Sequence, residues 1–256
     1  MRSTLVRRSV LSASAVSLAL LATACGSDKA DTKADAKPSE AAATSAAPAA
    51  KAKTSAELAG VILVQADLPS HVVKAPTDAE TKAAAGAKSD KPECQPLVSA
   101  QSMNAVGTAA GTAGTRAVAK GKEPAADASP EEKLKAGLGA LGGTTTSVYL
   151  TSYEGKGATE AFASVKTAGT ACAGGYTGSQ AGDSLKITKV APGAAVTAGD
   201  EALSYTVTGD ADGETMTMQL VVVRKGNTLA TFSALSLAGT AEQPKDVVDA
   251  QVKKLG

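Results

Sequence analysis

The sequence predicts an α+β domain: an antiparallel sheet of about five strands that ends in a meander, with helices packed on one face. Three observations carry this expectation. Residues 184–236 alternate between β-branched or apolar and polar positions and are broken by Asp210-Ala211-Asp212-Gly213 and Lys225-Gly226-Asn227, turn chemistry that reads as hairpins. Ahead of them, Ala158, Ala161, Phe162, Val165, Ala168 and Cys172 recur at helical spacing and stop at Gly174-Gly175. Residues 55–256 are long enough to bury one substantial core.

The elements follow in chain order. Thr54 and Glu57 form a capping-box pattern, Leu58, Val61, Ile62 and Leu68 continue at helical spacing, and Pro69 closes the run. Residues 71–74 read as a short strand and the polar stretch 77–91 as a loop. Residues 92–103 suggest a short helix with Cys94, Leu97 and Val98 on one face, whereas the Ala, Gly and Thr of 104–128 carry no assignable pattern. Ser129-Pro130-Glu131-Glu132 combines a cap, a first-turn proline and acids at the positive end of a helix dipole, with Leu134, Leu138 and Leu141 as its stripe. Strands are expected at 144–154, 184–191, 201–208, 214–224 and 228–236. A last helix opens at Pro244 and turns Val248, Val252 and Leu255 inward.

The front of the chain differs in kind. Residues 1–9 carry Arg2, Arg7 and Arg8 and no acid, and residues 10–22 are apolar with small residues mixed in, the layout of a secretory signal. The apolar part falls short of the roughly 20 residues that span a bilayer. A buried N-terminal helix is the other reading, but the following stretch has nothing to pack over it. Leu21-Ala22-Thr23-Ala24-Cys25 resembles the lipobox of bacterial lipoproteins. The resemblance implies cleavage between Ala24 and Cys25, a diacylglycerol thioether on Cys25, and an anchor on the outer face of a cell membrane. Ala22 stands where that family usually has Leu, and Ala22-Thr23-Ala24 also fits an ordinary signal peptidase, which would cut the same bond and release a secreted protein. Arg7-Arg8 followed by Val10-Leu11 weakly resembles a twin-arginine signal, so the export route stays open.

Residues 25–54 contain, after Cys25, no hydrophobic residue larger than Ala, too little to offset the entropy of ordering. They read as a tether reaching about 30 Å from the anchor. The expected organisation is thus a signal at 1–24, a lipid-anchored linker at 25–54 and the α+β domain at 55–256.

Composition excludes some functions. The chain has 26 basic and 25 acidic residues, and removing the leader's three arginines tips the balance slightly acidic. With no Trp, four Tyr and two Phe there is little to stack on bases, so nucleic acid is not an expected partner. Setting Cys25 aside leaves Cys94 and Cys172, an even pair that outside the cytoplasm is expected to oxidise, joining two helices across about 78 residues. The alternative, a redox or metal pair, lacks the C-x-x-C spacing. His71, the single histidine, would be the sole imidazole base for a Ser or Cys nucleophile, but it follows Pro69-Ser70 at a turn expected to be exposed. One histidine also argues against zinc. Asp210, Asp212 and Glu214 invite a calcium reading that fails at Thr208 and Gln219, and Met216 and Met218, a possible Cu(I) pair, share a strand face with Leu220 and Val222 that reads as core. No catalytic residue, metal or cofactor is expected from these patterns.

The order of elements, the stretches VQADLPSHVV and GDEALSYTV, the run LVVVRKGNTLATFSAL, and the placement of Cys94 and Cys172 together resemble small extracytoplasmic lipoproteins of high-GC Gram-positive bacteria. They also resemble the extracellular sensor domain of some membrane Ser/Thr kinases. That resemblance implies two disulfides around a cleft, and this chain has cysteines for one. The functional expectation is a non-catalytic ligand-binding or sensor-like module of the cell envelope, holding a small or lipid-like ligand. The alternatives are an envelope protein that only binds other proteins and, third, a hydrolase.

Overall fold

Among the described residues nine strands form one antiparallel sheet in the order β1-β3-β4-β9-β8-β7-β6-β5-β2. The computed structural model describes residues 51–120, 127–131, 133, 143–236 and 240–256, all within the unit Ala46–Gly256. The strands are β1 His71–Lys74, β2 Lys88–Ser89, β3 Gly111–Ala119, β4 Thr144–Ser152, β5 Tyr176–Gln180, β6 Asp183–Pro192, β7 Glu201–Ala211, β8 Glu214–Lys225 and β9 Thr228–Ser236. The helices are α1 Ser55–Val61, α2 Asp78–Ala85, α3 Gln95–Gln101, α4 Gly157–Ala171 and α5 Lys245–Leu255.

The α+β class agrees with the sequence, and two particulars do not. The sheet has nine strands where about five were expected, and helices cover both of its faces rather than one. Strand β8 explains the second point. Its consecutive residues Leu220, Val221, Val222 and Val223 are all buried, and side chains alternate across a strand. Leu220 and Val222 pack with Leu97 of α3 and with Phe162 and Val165 of α4. Val221 and Val223 pack on the opposite face with Leu58 of α1 and Val247 and Val248 of α5. A run apolar at every position marks a strand covered on both sides.

The α1/α5 face is closed, and among the described residues the buried side-chain group on it that lacks a partner is Thr228 Oγ1, at the start of β9. Thr54 and Glu57 form the capping box of α1. At the other end of that helix, fully buried Gln251 of α5 accepts from the Leu63 N–H (3.0 Å) and donates to the Val61 carbonyl (2.9 Å). Packing on this side already begins at Ala52, which is buried, and at Lys53, whose N–H donates to Ser152 Oγ (2.8 Å).

On the other face, Cys94 and Cys172 are disulfide-bonded with Cα atoms 5.8 Å apart, tying the start of α3 to the end of α4. Both are buried. Hairpins set the register of the meander. At the β7–β8 turn Asp212 and Gly213 both take positive φ (54° and 89°), the pairing that a two-residue hairpin loop requires, and Asp210 Oδ1 accepts the Gly213 N–H (2.7 Å). At the β5–β6 turn the same job falls to Ala181 (φ 55°) and Gly182 (φ 97°).

Four elements were not expected. Residues 77–91, read as a loop, hold α2 and β2, and the unassigned 104–128 hold β3. Strand β5 follows directly on Gly175. Of the helix expected from Ser129, the first turn is described, with the Lys133 N–H donating to the Ser129 carbonyl (3.0 Å). Leu134, Leu138 and Leu141 lie outside the described residues, as do Ala24, Cys25 and the linker up to residue 50.

Candidate functional site

The α3/α4 face is open where the opposite face is closed. Between the sheet and the end of α3 lie two adjoining cavities, of about 300 Å³ and about 230 Å³, which share Gln101, Ser102 and Gln180. They make one groove with Gln101 and Ser102 as a low ridge across it.

The larger part lies between α2, β3 and β4. Its floor is the sheet surface at Gly114, Arg116, Ser147 and Tyr149, and its far wall is Glu80 and Thr81 of α2. Gly114 keeps this floor low: a Cβ there would stand 2.9 Å from Met103 Cε and 3.2 Å from Tyr149 Cδ2. Arg116 Nη1 is ion-paired with Glu80 Oε1. Glu80 is held in turn by Thr77, the cap of α2, and that backbone N–H, then the Thr77 hydroxyl and the Arg116 charge, lower its pKa below the ordinary carboxylate value. The smaller part is walled by Val98, Leu185, Ile187 and Met218, with Asp183 and Ser184 at its mouth.

Two residues that line this groove carry a buried donor with no partner among the described residues: Arg116 Nε and Gln101 Nε2. The other end of the Gln101 amide is used, since Tyr176 Oη donates to Gln101 Oε1 (2.5 Å). Burial raises the Tyr176 pKa, which keeps its hydroxyl a donor. Leaving a buried donor unmade costs about 1–3 kcal/mol, so such atoms beside a cavity mark where an acceptor fits.

A third cavity, of about 580 Å³, opens beside the start of α4 between Val106, Ala110, Tyr153 and Glu160. Its one buried polar group is satisfied: Tyr153 Oη donates to the Val106 carbonyl (2.8 Å), and burial pushes that phenol up to about 12. Nothing in it calls for an acceptor or a donor.

His71 is buried, not exposed as its turn position suggested. Its Nδ1 faces Ser70 Oγ (3.0 Å) and its Nε2 lies 3.7 Å from Asp246 Oδ2 of α5. Serine, histidine and aspartate therefore meet, yet Ser70 is the histidine's chain neighbour and none of the three lines the groove. Met218 does line it, half-buried, with Ser233 Oγ 3.1 Å from its sulfur. Asp210 and Asp212 sit in the hairpin turn, where Asp210 caps a backbone N–H. Among the described residues no group of three or more His, Cys, Asp or Glu stands close enough to hold a metal ion, and no helix is long and apolar enough to cross a membrane.

The groove residues Gln101, Arg116, Glu80 and Tyr149 were not singled out by the sequence. One signal was available: Thr77-x-x-Glu80 repeats the capping box of Thr54-x-x-Glu57 and announces α2.

No family model matches the chain, and no curated protein matches it significantly. Among solved structures it is similar to the extracellular domain of PknH from Mycobacterium tuberculosis, with a TM-score of 0.49 and 11% identity, over 80% of this chain and 97% of that one.

Proposed function

We propose that the chain is an extracytoplasmic lipoprotein, anchored through Cys25 to the outer face of the cell membrane, whose domain is a non-catalytic, sensor-like module that binds a small ligand in the groove under α2 and α3. The observation that carries the binding role is the groove itself, with two unpartnered donors at one end and apolar walls at the other. Two further features support the location: the leader ending at Ala24-Cys25, and a buried disulfide of the kind that persists in oxidising compartments.

The test is mass spectrometry of the protein extracted from its own membrane, native and then denatured. A covalent excess of two or three acyl chains on the peptide beginning at Cys25 is expected, and its absence would mean a secreted protein. Extra mass present only in the native spectrum, and lost in Met218→Trp, is expected from a groove ligand. A native spectrum without it would turn the reading toward a module that binds other envelope proteins.

A further inference from the structure

The two ends of the groove differ in chemistry, and the difference names a ligand class. Among the described lining residues of both parts Arg116 is the only cation. Its guanidinium carries five donors, and the single Glu80 oxygen on Nη1 leaves Nε, the edge used for side-on pairing with a carboxylate, without a partner. Gln101 Nε2, on the ridge, is a second unpartnered donor. What this end lacks is an acceptor. Beyond the ridge, Val98 and Ile187 are buried, Leu185 and Met218 are half-buried, and the charge at the mouth is the carboxylate of Asp183.

Resting on the groove as the ligand site, we infer that it binds an amphiphilic carboxylate, an acyl chain ending in an acid. The acid pairs with Arg116 beside Gln101, and the chain crosses the ridge to lie along Leu185, Ile187 and Met218. Asp183 fixes this direction, because it repels a carboxylate from the apolar end. Glu80 is the internal competitor. It neutralises Arg116 while the groove is empty, its side chain is 36% exposed, and it rides on a helix whose only buried residue is Ala84. When a ligand carboxylate takes the guanidinium it displaces Glu80 Oε1 from Arg116, while Oε2 stays on the Thr77 cap.

The experiment is calorimetric titration of the full chain carrying Cys25→Ser, so that no acyl anchor of its own competes, with dodecanoate and 1-dodecanol below their micellar concentrations. Dodecanoate should bind more tightly than dodecanol. Arg116→Gln should weaken dodecanoate about tenfold or more, the loss of a charged hydrogen bond. Glu80→Gln should tighten it several-fold, and neither substitution should move dodecanol. Met218→Trp should weaken both. Because Glu80→Gln acts in the opposite direction to Arg116→Gln, loss of folding cannot imitate the pattern. Dodecanol binding as tightly as dodecanoate, or dodecanoate binding unmoved by either charge substitution, would overturn the carboxylate inference while leaving the groove as a binding site. Failure of both probes to bind would also overturn it, and the native mass spectrum then judges the groove separately.

Discussion

The two faces of the sheet are built from the same strands and end up with different tasks. On the α1/α5 side Leu58, Leu63, Val221, Phe232 and Val247 are all at most 1% exposed, and fully buried Gln251 uses both ends of its amide on the backbone of the neighbouring segment. On the α3/α4 side the core holds near the disulfide but gives way toward β3 and β5, where Ser147, Tyr149 and Arg116 replace aliphatic side chains on the sheet surface. The lesson is that one face supplies dense packing, with Thr228 Oγ1 unpaired at its edge, so that the other can open a groove and leave two donors unpaired. A site with unmade hydrogen bonds costs free energy, and that cost is tolerable only where packing elsewhere exceeds it.

This contrast can be broken most forcefully at the disulfide. Replacing Cys94 and Cys172 with Ser opens a loop of 78 residues, which in the chain-entropy treatment costs about 4 kcal/mol, near 10 °C in Tm. Thermal unfolding followed by circular dichroism should show that drop, and an unchanged Tm would mean that the open face holds without its cross-link. Next in size is Leu58→Ala on the closed face, a cavity at a fully buried position that should cost about 3 kcal/mol by urea unfolding while leaving ligand titrations unchanged. A change in groove affinity would mean that the two faces are coupled.

A gain is expected at the β5–β6 turn. Ala181 sits at φ 55°, a region an L side chain pays about 1 kcal/mol to occupy, so Ala181→Gly should raise stability by up to about that amount. No gain would show that the turn is already relaxed by its neighbours. The smallest effect sharpens the closed face. The Lys254 ammonium, 2.6 Å away, then the Val64 N–H, hold the Asp67 pKa below its ordinary 3.8. A carboxylate with a depressed folded-state pKa adds stability above its ordinary value and loses it as pH falls through the folded value. Asp67→Asn should therefore cost about 0.5 kcal/mol at pH 7, a partly exposed pair, and nothing once the pH falls well below 3.8. A gap that persists in acid would mean that packing, not charge, holds this corner.

How much of this was legible follows the same division. The periodic helix at 158–172, the meander and the capping box at Thr54 announce themselves because hydrophobic periodicity is a record of burial. The elements that build the groove leave a fainter record. Helix α2 buries only Ala84, β3 reads GTAGTRAVA, β5 reads YTGSQ and β2 has two residues. Small and polar residues face a groove because nothing packs on them there, so the pattern that reveals a core conceals a site. Covering of both faces was readable from Leu220 to Val223, whose unbroken apolar run does not fit a strand with one wet side. The meeting of Arg116 with Glu80, 36 residues apart, and of Gln101 with Tyr176, 75 apart, depends on pairings that no local pattern encodes.

The strand order has a consequence for behaviour in a crowd. A wide sheet is hazardous when its outermost strand offers a long row of free backbone groups to a neighbouring molecule. Here the nine strands are bounded by β1, with four residues, and β2, with two, while the strands of nine to twelve residues lie inside. Copies concentrated side by side find almost no rim to extend, so dense display need not turn into fibrous aggregation.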